Sequence, residues 1–206
     1  MNITKIYQLL RKQTKQYTIP IAEAQKTPFK TLIATILSAR TLDTTTAKVC
    51  KELFKKVKSF KNLKNISQKD LEKLIKPIGF YKTKTKNLKK LAEITNKVPN
   101  TIEELLKLPG VGRKTANLVL AVVYNKPSIC VDTHVHRISN RIGLVKTKTP
   151  KQTEEQLTKK LPKRYWSQTN FLMVKHGQNI CRPVNPKCQK CLLKPVCKYY
   201  KTNFLG

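Results

Sequence analysis

The chain has 206 residues, which is long enough to bury a hydrophobic core in one or two domains. Its 43 Lys and Arg against 11 Asp and Glu give a formal net charge of +32. A charge this large repels itself unless a polyanion or counterions offset it. Nucleic acid is therefore the default partner; an anionic membrane surface is a weaker alternative, and a lysine-rich solvated surface needs no partner at all.

Helical periodicity dominates the chain and convincing strand alternation is missing, so we predict an all-α fold. Thr27 is placed to cap a helix whose apolar residues recur three and four residues apart. Ser67 predicts the start of another helix, and Thr101 with Glu104 has the spacing of a capping box. Further helices are expected around 49–57 and 88–94 and over 113–124, 134–142, 151–160 and 165–177.

The stretch LPGVG, residues 108–112, joins two of these helices. It is not a P-loop, because Arg113 separates Gly112 from the next lysine, and it lacks the third glycine of a Rossmann loop. Pro109 ends the first helix, and the glycines permit positive φ and close approach of another backbone. Amides at the start of the second helix suit a DNA phosphate, although a plain turn between helices is the alternative. The predicted DNA contacts in this hairpin are Leu108, Gly110, Val111, Gly112 and Arg113.

Lys114 follows in the first turn of the second helix, where we expect it to be partly buried. The helix dipole and burial both disfavour an ammonium, and a neutral amine is a nucleophile. Asp132, in VDTHVHR, lies where the next helix is expected to begin. The simpler interpretation is that Asp132 is the N-cap of that helix. The more specific interpretation is that its carboxylate faces Lys114 across a cleft.

The C-terminal cysteines form a C-x6-C-x2-C-x5-C pattern, in which four thiolates on short loops can surround one metal centre. Four-thiolate zinc sites usually come as two C-x2-C pairs, whereas a single pair with wider flanking gaps suits a [4Fe–4S] cluster. The spacing alone leaves both open. The candidate ligands are Cys181, Cys188, Cys191 and Cys197. Cys50 and Cys130 fall outside the pattern and are predicted to be buried thiols.

Together, LPGVGRKTA, VDTHVHR and the cysteine pattern resemble the endonuclease III branch of the helix-hairpin-helix DNA glycosylases. The likeness runs from about Phe29 to Cys197. It implies an all-α, two-lobed fold with a DNA cleft between the lobes. One lobe would be a six-helix barrel over 20–126 that contains the helix-hairpin-helix, 101–124. The other, residues 1–19 with 127–206, would hold a [4Fe–4S] cluster on the four cysteines.

The resemblance also implies a reaction. Lys114 would attack C1′ of a nucleotide flipped out of the duplex, displace the damaged base and form a Schiff base, after which β-elimination nicks the strand. Asp132 would help to deprotonate the lysine and stabilise cationic character at C1′. Sibling branches that remove bases chiefly without lyase chemistry lack a lysine at this position. Lys114 therefore favours the bifunctional branch, with oxidised pyrimidines such as thymine glycol as substrates.

Three further DNA contacts come from the same resemblance. Arg40, in LSARTLD, stands where many members carry a glutamine in the segment that fills the gap left by the flipped base. Phe80, in IGFYKTK, occupies the place of an intercalating apolar residue, with a core aromatic as the alternative. His134 is expected to contact a phosphate, and an ordinary hydrogen-bonded histidine is the alternative.

The expected partner is double-stranded DNA with damaged bases or abasic sites. We expect a monomer in the cytoplasm, associated with the nucleoid and not with a membrane, because the first twenty residues hold no apolar run long enough for a signal peptide or a membrane span. Two alternatives remain: a monofunctional glycosylase for mismatched or alkylated bases, and a DNA-binding relative without catalysis. The presence of both Lys114 and Asp132 argues against the second.

Overall fold

The computed structural model describes residues 2–25 and 27–205, and within them every regular element is helical, which confirms the predicted all-α class. Three short 3-10 turns, Lys163–Tyr165, Cys188–Lys190 and Lys194–Val196, accompany the α-helices. The α-helices are α1 Ile3–Thr14, α2 Pro28–Ser38, α3 Asp43–Lys56, α4 Phe60–Asn65, α5 Gln68–Ile75, α6 Tyr81–Ile94, α7 Ile102–Leu106, α8 Arg113–Val123, α9 Thr133–Ile142, α10 Pro150–Lys160, α11 Trp166–Asn179 and α12 Lys198–Phe204.

The helix starts that the sequence predicts are confirmed by their caps. The side chains of Thr27, Ser67 and Thr101 each accept a hydrogen bond from the backbone N–H three residues further on, at 3.0–3.3 Å. The predicted capping box is only half formed. Glu104 accepts from the Thr101 hydroxyl at 2.9 Å, and not from a backbone N–H.

One compact unit spans Pro20–Lys126, contains α2 to α8, and is called the hairpin unit below. α2 packs against α3 and α8, and α6 packs against α4 and α5. The apolar faces of these helices form one core, in which Leu32, Leu53 and Leu88 are fully buried. The helix expected around 88–94 lies within α6, and Ile94, the last residue of α6, is 62% exposed.

The second compact unit joins the two ends of the chain, Met1–Ile19 with Pro127–Gly206, and is called the cysteine unit. α9 packs against α10, α11 and α12, while α1 packs against α11. The unit has its own apolar core. Tyr7 of α1 stacks on Tyr165 with ring centres 4.2 Å apart, and its hydroxyl lies 2.6 Å from that of Thr169. The N-terminal helix is therefore bound to elements near the other end of the chain.

Residues 2–25 and 27–205 include no helix that combines the length and the apolar character needed to cross a membrane.

Candidate active site

The hairpin between α7 and α8 is anchored by its apolar residues. The side chains of Leu108 and Val111 are 6% and 7% exposed and belong to the core of the hairpin unit. Within the turn, Leu108 N–H donates to Leu105 O at 3.2 Å and Val111 N–H donates to Leu108 O at 3.1 Å. Leu108 and Val111 therefore fix the shape of the turn, and any contact they make with a partner comes from their backbone.

The two hairpin glycines have different roles. Gly110 adopts a φ of +78°, the positive value that a glycine permits, and a Cβ there would lie 3.1 Å from Asn87 Nδ2. Gly112 has a φ of −96° and does not use this conformational freedom. Nothing lies within 4 Å of the position that a Cβ of Gly112 would take. The surface at Gly112 is thus open to a ligand.

α8 begins at an N-terminus without a side-chain cap. Gly112 is its N-cap and supplies no side-chain hydrogen bond to the first turn, whose amides have no partner within the helix. Arg113 and Lys114 are exposed, which contradicts the expected partial burial of Lys114. The reason is geometric: the buried face of α8 starts at Thr115 and Ala116, so the residues before them extend beyond the core.

Asp132, in the cysteine unit, is the N-cap of α9. Its Oδ1 accepts hydrogen bonds from the backbone N–H groups of His134 and Val135, both at 2.9 Å. The simpler of its two predicted roles is thus observed. Both bonds use Oδ1, so capping leaves Oδ2 of this half-buried carboxylate for another partner.

His134 lies against the guanidinium of Arg137, with Nδ1 and Nη2 3.1 Å apart. Arg137 also donates to the carbonyl of Cys181 through Nη2 at 2.8 Å and Nε at 3.2 Å. Burial lowers the pKa of Arg137 from its usual value. α11 accommodates this pair through Gly177, where a Cβ would overlap His134 Nδ1. One network therefore joins His134 to the first predicted cysteine ligand.

Arg40 and Phe80 are brought together in the hairpin unit. The Arg40 guanidinium lies over the Phe80 ring, 5.4 Å from its centre. Phe80 is 61% exposed, so the alternative prediction that it is a core aromatic residue is wrong. Both residues have left-handed backbones, with φ of 54° and 59°.

The four C-terminal cysteines line one cavity in the cysteine unit, and each is half-buried. Burial, followed by the charge of the neighbouring thiolates, raises the pKa of Cys188. Burial also raises the pKa of Cys191, to about 11. Thiolates gathered in this way oppose one another's ionisation unless a cation joins them. Cys50 and Cys130, outside the pattern, are both 1% exposed, which confirms the prediction of buried thiols.

Nitrogen atoms of two side chains lie near the cysteine sulfurs. Arg141 Nη1 lies 3.5 Å from Cys181 Sγ, and its guanidinium also donates to the carbonyls of Arg182 and Pro183 at 2.6 and 2.8 Å. His176, which is 2% exposed, has Nε2 3.8 Å from Cys191 Sγ. Its Nδ1 is the one buried side-chain nitrogen or oxygen in the described part of the chain without a hydrogen-bond partner. Burial lowers the pKa of His176 to about 4, so the ring is neutral at pH 7.

The four cysteines share a cavity but are not drawn together around one point. Four thiolates on one zinc lie roughly 3.8 Å apart, since each Zn–S bond is about 2.3 Å long. Across residues 2–25 and 27–205, no three His, Cys, Asp or Glu side chains are grouped closely enough to hold one metal ion. The cavity and its four cysteines form one candidate metal site.

A cavity of about 1210 Å³ in the hairpin unit is lined by none of Arg40, Phe80 and Lys114. Phe29, Phe60 and Tyr124 are among the residues that line it. Of the predicted DNA contacts, only Leu108 borders it. The size of a cavity therefore does not show which residues of this protein carry out its reaction.

Several residues near these sites carry no sequence signal. Arg137 and Arg141 reach Cys181 from 44 and 40 residues away, and His176 faces Cys191 from α11. A buried lysine, Lys84, donates to two carbonyls at the end of α2. Only the fold brings these groups to their partners, so a reading of local motifs does not find them.

The comparisons with known proteins agree with one another. Residues 33–163 match the model of the HhH-GPD superfamily base excision DNA repair proteins. Endonuclease III of Thermotoga maritima is 46% identical over 98% of this chain and 96% of that protein. A non-covalent endonuclease III–DNA complex has a TM-score of 0.87 at 34% identity and covers 100% of both chains.

A trapped endonuclease III–DNA covalent intermediate has a TM-score of 0.85 at 35% identity and covers 98% of both chains. The resemblance that the motifs indicated is thus confirmed over nearly the whole length. The chain therefore belongs to the HhH-GPD superfamily of base excision DNA repair proteins and, within it, to the endonuclease III family of DNA glycosylases with AP lyase activity.

Proposed function

We propose that Lys114 is the nucleophile of this glycosylase and lyase, and that its substrates are double-stranded DNA with oxidised pyrimidines, such as thymine glycol, or with abasic sites. The observation that carries the proposal is the exposed amine in the first turn of α8, directly after the hairpin. An amine is the one side-chain nucleophile that yields a Schiff base with a sugar carbon.

The hairpin supports DNA binding at the same helix end. The first amides of α8 and the open surface at Gly112 suit a phosphate, which the positive end of the helix dipole also favours. A phosphate held there keeps a nucleotide of the backbone near Lys114. Contacts of this kind position the strand without reading its sequence, as an enzyme that searches for damage requires.

In the proposed reaction Lys114 Nζ, after it has lost a proton, attacks C1′ of the flipped nucleotide. The N-glycosidic bond breaks, and the base leaves with the bonding electrons and takes up a proton. Opening of the sugar ring gives the Schiff base, and loss of a C2′ proton expels the 3′ phosphate as the C3′–O bond breaks. Asp132 is proposed to take the lysine proton and to stabilise positive charge at C1′ through Oδ2, which capping does not use.

Solved relatives support this assignment. One neighbour is an endonuclease III trapped covalently on DNA, and another is bound to DNA without a covalent bond. A reaction that passes through a covalent enzyme–DNA bond needs a nucleophile, and Lys114 stands at the hairpin where the motif predicts it.

Borohydride trapping tests the proposal. Wild-type protein should be trapped on duplexes with one thymine glycol or one abasic site, because borohydride reduces the imine to a stable amine. Lys114→Gln should abolish trapping and nicking but keep lesion binding, while Lys107→Gln, an exposed hairpin lysine, serves as the matched control. Base release without any trapping would instead identify a monofunctional glycosylase, and trapping by Lys114→Gln would assign the chemistry to another amine.

The four C-terminal cysteines are proposed to hold a [4Fe–4S] cluster. Their shared cavity and the nitrogens of Arg141 and His176 beside two of the sulfurs fit an anionic thiolate-bound cluster. When bound, the cluster supplies a metal link between the cysteine loops and a one-electron redox centre. Arg141 would hold the loop after Cys181 through the carbonyls of Arg182 and Pro183.

Metal analysis of anaerobically purified protein tests the cluster. About four irons per chain and a broad absorbance near 400 nm are expected. Stoichiometric zinc without iron would contradict the assignment.

A further inference from the structure

Two loops of the hairpin unit hold residues in an uncommon conformation. Arg40 follows the end of α2, Phe80 precedes α6, and their φ values are 54° and 59°. Side chains with a Cβ rarely adopt this left-handed region, so the surrounding structure must hold them there. Both side chains are nevertheless exposed. Strain at two adjacent exposed positions points to a use on the surface.

The two loops are fastened to each other. Gly79 N–H donates to the Thr41 hydroxyl at 3.0 Å, and a Cβ at Gly79 would lie only 2.7 Å from Arg40 O. The Arg40 guanidinium then lies over the Phe80 ring at 5.4 Å. The pair therefore forms one contiguous exposed surface made of a guanidinium and an aromatic ring.

Lys84 secures this arrangement from inside. Although it is a lysine, it is only 8% exposed, and its Nζ donates to Leu37 O at 2.8 Å and Ala39 O at 2.5 Å. These are carbonyls at the C-terminal end of α2, immediately before Arg40. Since α6 also begins right after Phe80, Lys84 connects the backbones that carry both members of the pair.

We propose that Lys84 is a positioning residue which holds Arg40 against Phe80, so that the two side chains act as one preformed wedge in the DNA stack. The inference rests on the proposed function. Guanidinium and aromatic planes are the protein groups on which bases stack, and apolar wedges unstack base steps. A wedge that is already ordered loses little conformational freedom when it enters the duplex.

The chain offers a matched control on the same helix. Lys89 of α6 also donates to carbonyls at the end of a helix, those of Leu63, Lys64 and Ile66, at 3.2, 2.5 and 2.7 Å. It therefore performs the same structural task at α4, away from Arg40 and Phe80. Lys84→Met and Lys89→Met remove comparable helix caps, and only the first should disturb the wedge.

The experiment compares single-turnover rates on two duplexes, one with thymine glycol and one with a preformed abasic site. Lys84→Met should slow base excision roughly tenfold, below the roughly 10²-fold that a misplaced group can cost. Nicking of the abasic site should change less than about twofold, because no base has to leave the stack. Lys84→Arg, which keeps the donors, should restore most of the excision rate. Lys89→Met should behave like the wild type on both duplexes.

Two further measurements separate positioning from a loss of structure. Melting temperatures show whether Lys84→Met folds as well as Lys89→Met. The fluorescence of 2-aminopurine beside the lesion reports unstacking directly, and its rise on binding should be smaller with Lys84→Met. In the wild-type background, Arg40→Ala and Phe80→Ala should be non-additive, since removing either member of one unit already disables it.

Several outcomes would overturn the inference: equal losses on both duplexes, no loss with Lys84→Met, the same losses with Lys89→Met, or strictly additive effects of Arg40→Ala and Phe80→Ala. Failure of the wild-type protein to nick the abasic duplex is a different result. It would overturn the proposed function itself, and with it the basis of this inference.

Discussion

At the scale of single residues, Asp132 combines a structural and a proposed chemical role on different oxygens. Oδ1 caps α9, and the proposed work on the substrate belongs to Oδ2. The two roles therefore do not compete for one atom, and substitution can separate them.

Asp132→Asn should slow base removal by roughly 10²-fold, because an amide neither accepts the lysine proton nor carries charge. It should leave the free energy of unfolding nearly unchanged, since asparagine caps a helix as well as aspartate does, whereas Asp132→Ala should lose about 1 kcal/mol. Single-turnover excision and urea unfolding measure the two effects. Full activity of Asp132→Asn would show that the Asp132 carboxylate acts only as a helix cap.

Lys84 should give the protein a distinctive dependence of stability on pH. Burial lowers its pKa from 10.5 to about 8 in the folded state. At pH values between these two pKa values, the unfolded chain binds more protons at Lys84 than the folded chain does. The contribution of Lys84 to the free energy of unfolding therefore rises with pH, by at most about 3 kcal/mol. Urea unfolding of wild type and Lys84→Met at pH 7 to 9.5 measures it. The difference should shift in favour of the wild type as pH increases, and a constant difference would contradict the assignment.

Sequence motifs identify the residues proposed to take part in the reaction, but not the residues that hold such groups in place. Lys114 and Asp132 belong to contiguous motifs and are visible in the sequence, although the exposure of Lys114 is not. Lys84 and His176 are invisible, because a lysine is normally solvated and a histidine normally pairs with polar groups. Their roles depend on carbonyls and sulfurs that only the folded chain brings near.

At the scale of elements, α9 and α11 approach each other closely at Gly177. A Cβ there would overlap His134 Nδ1 and lie 3.0 Å from Arg137 Nη2. Glycine within a helix usually lowers stability, so its presence in α11 is explained by this contact.

Gly177→Ala should therefore lower the free energy of unfolding by about 1–3 kcal/mol, the cost of overpacking, despite the better helix propensity of alanine. Gly112→Ala is the control, because nothing lies within 4 Å of its Cβ position. It should change stability by only a few tenths of a kcal/mol, in either direction. Denaturant unfolding of both variants checks this, and equal stability of the two would show that α9 and α11 can move apart freely.

Predictions of whole elements depended on length and caps. A capping residue or a hairpin, together with apolar periodicity, predicts the helices α2, α5 and α8. α4 and α12 have six and seven residues and offer too few turns for a periodic pattern, so they were not predicted. The left-handed positions of Arg40 and Phe80 also escape prediction, because packing between loops overrides the preference of each residue.

At the scale of the whole molecule, the charge of +32 governs the encounter with DNA. The affinity for duplex DNA should fall by about 10³-fold or more between 50 and 200 mM salt, because about six or more phosphate contacts release counterions. Fluorescence anisotropy with a labelled duplex measures this. Lys114→Gln should change the slope against log salt by at most about one contact. An affinity that is flat over this range would contradict an electrostatic mode of binding.

The pairing of α1 with α11 has a consequence for how the protein is made. Tyr7 and its partner Thr169 are separated by 162 residues. At roughly 5–20 residues per second, a ribosome needs on the order of 10–30 s to synthesise that interval. During this time the hairpin unit, which is one continuous segment, emerges complete and can fold. Until α11 has been made, the apolar side of α1 remains exposed. In the folded protein this side is fully buried at Ile6, Tyr7 and Leu10. α1 therefore leaves the ribosome before α2 to α12 but is among the last of them to reach its final place, and until then its apolar side can be bound by chaperones.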